Sequence, residues 1–359
     1  MLFLNDTDIN IWKYLSKTDK PVILYGMGNG ADKILHNFDK FNIKCSGIMA
    51  SDNFVRGQSY CGFKVSKLSF FEELFDDFII AVAFGTQLPD VMENIKSISL
   101  RHEIVVPNVP VFGSGIFDDN FISQNAEKME CAYSLLADSR SRQVFEAAVK
   151  FYYSGKLELL WDITDSKDEI FQNVLKLSPH ENYIDLGVYH GDTIDELIHY
   201  SGGYNKIIAI EPDFKNFRKL NEYIKGMDNI IAENKIIWNH NGTILFSQES
   251  GRSSGVNLKG TPSQAVTIDK LNVHFNASYI KMDVEGCEKE AIAGGVLTLE
   301  SSKPKLNIAA YHRFADFFEL ILLIHSINPN YRFFLRHHPY IPFGIQTYTV
   351  YNPAIYQPP

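Results

Sequence analysis

The sequence is poor in cysteine, in basic charge and in long apolar runs. Its four cysteines, Cys45, Cys61, Cys131 and Cys287, lie far apart and form no Cys-x-x-Cys pair, which argues against a disulfide framework and against a structural zinc site. The formal net charge is −9 and no basic stripe is present, which argues against nucleic acid as a partner. A reducing cytoplasm fits this composition best.

Nothing in the sequence predicts a membrane span. The most apolar run, residues 317–324, is far shorter than the roughly 20 residues that a transmembrane helix needs. The first residues, MLFLND, lack a basic region followed by an apolar stretch, so we expect no export signal. Because 359 residues exceed one ordinary domain of about 100–200 residues, we expect two globular units.

The N-terminal part of the sequence predicts a small Rossmann-like domain over residues 1–112. An apolar run at residues 22–25 ends at Gly26-Met-Gly28-Asn-Gly30 and is followed by helical spacing, and further strands are predicted at residues 45–49 and 78–84. Ala31 replaces the third glycine of the dinucleotide fingerprint, whereas Asp52 stands where a ribose ligand would be. The segment is similar to domains of bacterial sugar-modifying enzymes that bind nucleotide-linked sugars, and a structural or oligomerising role stays open.

A helical connector is predicted over residues 113–178 and a second doubly wound domain over residues 179–359. Candidate strands there cover residues 183–186, 206–210, 235–238, 279–282 and 306–310. Residues 331–335 and 346–351, with a loop at 338–343, predict an antiparallel hairpin that completes a seven-stranded sheet. The predicted fold class is therefore α/β, with two doubly wound Rossmann-like domains joined by a helical connector.

Polar residues follow the first two strands of the second domain. In doubly wound sheets a ligand binds at the carboxyl ends of the strands where the strand order reverses. The segment DLGVYHGDT, residues 185–193, offers glycines that let a ligand approach the backbone and Thr193 as a helix cap. Glu211 follows the next strand and could accept hydrogen bonds from ribose hydroxyls. Asp185 and Glu211 could each instead cap a helix N-terminus, but their spacing favours a cofactor site.

Three more candidates follow later strands. Asp283 and Glu285 come directly after the predicted strand at residues 279–282; for Asp283 the roles of general base, hydroxyl anchor and metal ligand all stay open. His312 follows the next strand, where an imidazole could accept a proton near neutral pH. A histidine buried for packing is the alternative at that position.

Taken in order, these motifs resemble the FkbM family of methyltransferases. The resemblance rests on YIDLG at 183–187, IEPD at 210–213, TIDKL at 267–271, YIKMDVEG at 279–286 and AYH at 310–312. It extends weakly to LADSRSR at 136–142 and to Arg336-His337. The resemblance implies a class I methyltransferase fold that uses S-adenosyl-L-methionine to methylate a hydroxyl oxygen, commonly of a sugar or a polyketide-type product.

The resemblance also assigns the site residues by motif position. The predicted cofactor-binding residues are Asp185, Gly187, Tyr189, Gly191, Thr193, Glu211 and Asn239. Asp283, Glu285 and His312 would face the acceptor hydroxyl, with its proton passing to His312 or Asp283 as the oxygen attacks in line. His190 departs from the small, acidic or amide residue of many relatives. No resident metal is expected, since a sulfonium needs none to activate its methyl group, although a divalent ion could orient the acceptor.

The implied function is O-methylation of a sugar hydroxyl, free or in a glycan, in bacterial polysaccharide or glycoconjugate biosynthesis. Two alternatives stay open: a nicotinamide-dependent oxidoreductase that uses the N-terminal loop, and a scaffold that binds a nucleotide-sugar. Neither alternative accounts for Asp185, Glu211, Asp283 and His312 together. The sequence indicates no oligomeric state.

Overall fold

The computed structural model describes residues 3–247, 255–256, 260–338 and 345–351. They fall into two compact units, the first made of the described residues of Met1–Ala126, Gln143–Thr164 and His337–Gly344, and the second of those of Glu127–Arg142, Asp165–Arg336 and Ile345–Pro359. Each unit holds a mainly parallel sheet whose strands alternate with helices, which confirms the predicted α/β class. The predicted domain boundaries stay predictions. None of the helices in the described part is long and apolar enough to cross a bilayer.

Two inner strands of the first unit's sheet, at residues 22–25 and 79–82, are short, apolar and fully buried, which is typical of parallel sheets covered on both faces. The elements are α1 (Ile11–Leu15), β1 (Val22–Tyr25), α2 (Asn29–Phe41), β2 (Cys45–Met49), β3 (Ser59–Tyr60), β4 (Phe63–Ser66), α3 (Leu68–Leu74), β5 (Ile79–Val82), α4 (Pro89–Ser99) and β6 (Glu103–Val105). The strand order is β3-β4-β2-β1-β5-β6, parallel except between β3 and β4.

The chain between the two sheets is helical, as its 3.6-residue periodicity predicts. The helices are α5 (Asp119–Ser134), α6 (Ser139–Ser154), α7 (Glu158–Trp161) and α8 (Lys167–Glu169), followed by a π-helical segment, Ile170–Leu175.

The second unit contains a seven-stranded sheet and a smaller four-stranded one. The elements are β7 (Asn182–Leu186), α9 (Asp192–Ser201), β8 (Lys206–Ile210), α10 (Phe214–Tyr223), β9 (Ile230–Glu233), β10 (Ile236–Ile237), β11 (Gly242–Ser247), β12 (Gly255–Val256), β13 (Thr261–Val266), α11 (Ile268–Asn272), β14 (Tyr279–Met282), α12 (Glu288–Ala293), α13 (Val296–Ser301), β15 (Lys305–Ala309), α14 (Asp316–Ile327), β16 (Tyr331–His337) and β17 (Ile345–Tyr351). The strand orders are β16-β17-β15-β14-β7-β8-β9 and β10-β13-β11-β12.

Two predicted elements of this unit are wrong in place or extent. The strand predicted at residues 235–238 does not join the large sheet, because β9 forms its edge and β10 pairs with β13. The edge strand was missed because it is only partly buried, with Ile231 57% exposed, and so lacks a continuous buried run. The sequence after the strand at residues 279–282 predicts one helix over residues 287–299, but the structure breaks it at Gly294-Gly295, where a side chain at Gly294 would overlap the carbonyl oxygen of Trp238.

The two strands of the predicted hairpin, β16 and β17, lie side by side and complete the seven-stranded sheet, with β16 at its edge. On its other side β17 pairs antiparallel with β15. Of the loop predicted at residues 338–343, positions 339–343 lie outside the described residues.

A buried carboxylate joins the starts of three central strands. Glu181, directly before β7, accepts hydrogen bonds from the backbone of Ser178 at 3.1 Å, from the hydroxyl of Ser278, and from Lys305 Nζ at 2.9 Å. Ser278 directly precedes β14 and Lys305 begins β15. Burial alone would raise the pKa of Glu181, but the hydrogen bonds from Ser278 and Lys305 outweigh it and lower the pKa below 4.5.

We predict that Glu181→Gln lowers the unfolding free energy of the full chain at neutral pH by about 1–3 kcal/mol, since it weakens hydrogen bonds to a buried charge. The folded-state pKa is lower than the unfolded one. The carboxylate therefore stabilises the fold above about pH 4.5, and its contribution is lost as the pH falls through the folded-state value. Urea unfolding of both proteins along a descending pH series measures the difference, which should shrink towards acid. Glu222→Gln, at an exposed position, is the control. A deficit that stays equal at every pH would contradict the assignment.

Candidate active site

The order of the seven strands creates a crevice at one place in the sheet. From β7 the chain continues outward to β8 and β9, and it later returns to place β14 on the opposite side of β7. The strands β7 and β14 run parallel and in register, with Asp185 beside Lys281 and Leu186 beside Met282. Their carboxyl ends therefore meet where the strand order reverses, which is the usual ligand position of doubly wound sheets.

The loop after β7 passes very close to the loop after β14. Gly187 has φ +83°, and a Cβ atom there would overlap the backbone carbonyl of Asp283. Gly191 has φ +109°, and a side chain there would overlap the ring of Tyr223. Both predicted loop glycines are thus required by space as well as by backbone conformation. The amides of Gly187 and Val188 donate to the carbonyl of Ile210 at 3.0 and 3.3 Å, which ties the loop to β8.

Asp185 is fully buried beneath this loop. Its carboxylate accepts a hydrogen bond from the hydroxyl of Thr193, and Lys281 Nζ lies 3.9 Å from Oδ1 and 3.5 Å from the carbonyl oxygen of Gly187. Burial raises the pKa of Asp185, and Lys281 and Thr193 oppose that rise. Burial would lower the pKa of Lys281, but Asp185 and Asp283 keep it above 10.5. Lys281 is a site residue to which sequence reasoning assigned no role.

Glu211, at the end of β8, braces the same loop. Its carboxylate accepts hydrogen bonds from the backbone amides of Tyr189 and Asp213, both at 2.9 Å. Burial raises its pKa to about 7, with the two amides opposing the rise. Tyr189 has φ +55° and a half-exposed ring that packs against His190. Asn239 is exposed and contacts His240 at 2.8 Å, so its side chain is not linked to the other predicted residues.

The predicted acceptor residues come together around His312. Its Nε2 lies 3.4 Å from Asp283 Oδ1 and 3.5 Å from Glu285 Oε2. Its Nδ1 lies 2.8 Å from Oε1 of Glu288, a residue that sequence reasoning missed. The side chains of His312 and Glu288 are completely buried, whereas those of Asp283 and Glu285 are 28% and 36% exposed.

Glu288 begins α12, and Oε1 of its carboxylate also accepts from the amides of Val284 and Gly286 at 3.1 and 3.4 Å. Burial would raise the pKa of Glu288, but His312 and the backbone amides of Glu288 and Val284 lower it. Burial would lower the pKa of His312, but Glu288, Glu285 and Asp283 raise it well above 6.5. An acid in the first turn of a helix is ordinary, so the sequence carries no signal that sets Glu288 apart.

Glu285 is held in an unusual backbone conformation. Its φ is +52°, in the left-handed region that glycine adopts most easily, although Gly286 stands directly beside it. A glutamate there costs roughly 1 kcal/mol or more, and such residues cluster at functional sites. Tyr311 completes the rim, with its hydroxyl 3.4 Å from Asp283 Oδ1.

Residues 185–342 match the family model of the methyltransferase FkbM domain. The crystal structure of Methyltransferase FkbM from Methylobacillus flagellatus KT superposes with a TM-score of 0.71 over 96% of this chain and 95% of that chain. At 20% identity this likeness shows the fold.

More distant matches include Aeropyrum pernix fibrillarin in complex with natively bound S-adenosyl-L-methionine, with 11% identity, 49% and 69% of the two chains covered and a TM-score of 0.32. Precorrin-6y C5,15-methyltransferase from Geobacter metallireducens GS-15 is 10% identical, with 52% of this chain and 91% of that chain covered and a TM-score of 0.33. Both lie too far from this chain to bear on its site. None of the curated proteins matches the sequence.

We predict that Gly187→Ala destabilises the chain by about 1–3 kcal/mol more than Gly202→Ala does, because only the first new methyl group overlaps a backbone carbonyl. Gly202 is a matched control: its φ of +75° is close to the +83° of Gly187, and no atom lies within 4 Å of its added Cβ. Chemical unfolding of both variants measures the difference. Equal destabilisation would show that the two strand-end loops do not constrain each other.

Proposed function

We propose that this chain, in which residues 185–342 match the family model of the methyltransferase FkbM domain, transfers the methyl group of S-adenosyl-L-methionine to a hydroxyl oxygen of a sugar in bacterial polysaccharide or glycoconjugate biosynthesis. The observation that carries the proposal is the placement of Gly187, Glu211, Asp283 and His312. These residues follow β7, β8, β14 and β15, which are four adjacent strands of one sheet in the order β15-β14-β7-β8. The strand order reverses between β14 and β7, at the centre of the four, where ligands of doubly wound sheets bind.

Several features around the loop after β7 fit a nucleoside cofactor. Gly187 and Gly191 let the loop pass closely against Asp283 and Tyr223, and Tyr189 offers an exposed ring beside them. Glu211 uses its carboxylate to hold the amide of Tyr189 and retains lone pairs for hydroxyl donors. Asp185 is buried, so we propose that it acts through Thr193 and Lys281 to hold the loop. When bound, the cofactor supplies an electrophilic methyl group on a positively charged sulfur.

At the other end of the crevice, the exposure of each side chain indicates which residue can contact the acceptor. His312 is completely buried, whereas Asp283 and Glu285 reach the surface, so an acceptor meets the carboxylates first. The sequence hypothesis assigned the proton to His312 or Asp283; burial of His312 favours a carboxylate. We propose that Glu285 accepts the hydroxyl proton as the new oxygen–carbon bond forms and the sulfur–carbon bond breaks, with Asp283 and Tyr311 orienting the acceptor.

Three finer assignments stay proposals. They are a nucleotide-linked sugar at the N-terminal glycine loop, a cytoplasmic location, and cofactor contact by Asn239. In the described residues the Gly28 amide and carbonyl both contact the hydroxyl of Tyr60 at 3.1 Å, so a ligand at that loop would have to share it with Tyr60.

Calorimetric titration tests the cofactor. The full chain should bind S-adenosylhomocysteine and not NAD, and Glu211→Gln should weaken binding about 10- to 100-fold, because hydrogen bonds to a carboxylate are worth roughly 1.5–3 kcal/mol. The control is Glu300→Gln. Glu300 is an exposed acid shortly before β15, towards the amino ends of the strands, so this variant should bind as the unmodified chain does. Binding of NAD in place of S-adenosylhomocysteine would overturn the proposal.

A second test addresses the chemistry. With a sugar or nucleotide-sugar that supports release of S-adenosylhomocysteine, Glu285→Gln should lower kcat about 100-fold or more, the range of general-base catalysis. The affinity for S-adenosylhomocysteine should change little, since Glu285 lies on the loop after β14. A methyl-¹³C label identifies the atom that is methylated. Transfer to nitrogen or carbon, or a kcat that Glu285→Gln leaves unchanged, would refute the assignment.

A further inference from the structure

Three potential metal ligands from three different elements meet behind the crevice. One ligand atom each from Asp283 at the end of β14, Glu288 on α12 and His312 after β15 lie within 4.8 Å of one another. Asp283 is partly exposed, and the other two are buried. The three residues therefore form a cluster of donors, of which Asp283 reaches the surface beside the proposed acceptor position.

The buried members of this group lack the partners that buried polar atoms ordinarily have. Within the described residues neither ring nitrogen of His312 has a hydrogen-bond partner, and neither does Oε2 of Glu288. The 2.8 Å approach of Glu288 to Nδ1 is thus an ion pair without hydrogen-bond geometry. More than about nine in ten buried polar groups are hydrogen-bonded in native proteins. Such atoms in one cluster point to a ligand that bonds to the carboxylate and to one of the two ring nitrogens.

The charges around His312 point to the sign of that ligand. Three carboxylates, Asp283, Glu285 and Glu288, face a single imidazole within 3.5 Å. The nearest buried ammonium, that of Lys281, is already directed at Asp185 and Gly187. Of the three acids only Glu288 is buried, whereas Asp283 and Glu285 are 28% and 36% exposed. Three like charges around one imidazole nevertheless disfavour one another, and a bound cation would reduce that repulsion.

We propose that Asp283, Glu288 and His312 bind a divalent cation of the Mn²⁺ or Mg²⁺ class. A cation can take only one of the two ring nitrogens of His312, and one donor atom from each of the three residues lies within 4.8 Å of the other two. Ligand bonds of roughly 2.1 Å keep donor atoms within about 4 Å of one another, so a small contraction of the cluster is enough to bind the ion. Two carboxylates favour a hard cation, and the imidazole favours Mn²⁺ over Mg²⁺.

The cation would lie beside Glu285 and Tyr311, where its remaining coordination positions can take acceptor oxygens, and vicinal sugar hydroxyls suit such a site. This role rests on the proposed function, whereas the cation site itself does not. Methyl activation needs no metal, as expected from the sequence; the cation would orient the acceptor and make its hydroxyl more acidic.

Binding can be measured without cofactor or acceptor. Tag-free full-length protein, freed of metal with EDTA, should bind one equivalent of Mn²⁺ in a calorimetric titration. Glu288→Gln and His312→Ala should each weaken that binding at least tenfold, which is the lower range for loss of a metal-site residue. Glu290→Gln, on the same helix two positions on, should not. If both site variants bind Mn²⁺ as tightly as the unmodified chain, the cation site is wrong. That outcome would not affect the titration with S-adenosylhomocysteine, which tests the proposed function.

A second measurement needs no variant and is independent of any folding defect. Pulsed electron paramagnetic resonance of the Mn²⁺ complex of the unmodified chain should detect the ¹⁴N nucleus of one coordinated imidazole. A Mn²⁺ complex without a nitrogen ligand, or the absence of a complex, would overturn the assignment. Failure of methyl transfer with Mn²⁺ still bound through nitrogen would instead count against the proposed function alone.

Discussion

The close approach of two backbones, at Gly187 and Asp283, is the constraint on which the rest of the candidate site depends. Adjacent parallel strands lie only about 5 Å apart, so the loops that leave β7 and β14 share one narrow space. Gly187 fits there because it has no side chain, and its carbonyl oxygen turns to Lys281 on β14. The loop after β7 and the loop after β14 are therefore packed directly against each other. A side chain added at Gly187 would displace the backbone of Asp283.

The acidic loop is also fixed from behind, by the contact between His312 and Glu288. Glu288 accepts hydrogen bonds from the backbone amides of Val284 and Gly286, the two neighbours of the strained Glu285. The carboxylate of Glu288 thereby holds the turn that presents Glu285 to the surface. Removing one partner from a buried ion pair costs about 3–5 kcal/mol because the other charge stays unbalanced. Variants of His312 and Glu288 must therefore be examined for folding as well as for activity, which is why a measurement on the unmodified chain has special weight.

Much of this arrangement was predictable from the sequence, and what was missed has identifiable causes. The strands Val22–Tyr25, Lys206–Ile210 and Tyr279–Met282 were predicted to the residue, because short, mainly apolar runs that end at a glycine or an acidic residue have few other interpretations. The edge strand Ile230–Glu233 carries no such run. The break at Gly294-Gly295 depends on the carbonyl of Trp238, which is distant in sequence. Glu288 and Lys281 were overlooked because nothing local distinguishes a buried charge from an exposed one; their burial follows from tertiary packing.

The register of the large sheet explains why Lys281 lies beside Asp185 while His312 lies beside Asp283. Lys281 stands directly beside Asp185 on one side and Asn307 on the other, so its ammonium lies beneath the glycine loop. The side chain of Asp283, two positions further along the same strand direction, points to the same face by the alternation of strands, but it lies beyond the end of the strand, where His312 approaches from β15. The lysine charge is thus fixed under the loop after β7, while the acidic excess lies at the loop after β14. Under the proposed function, a cofactor with a positively charged sulfur and an acceptor that must lose a proton would both gain from negative charge at that end.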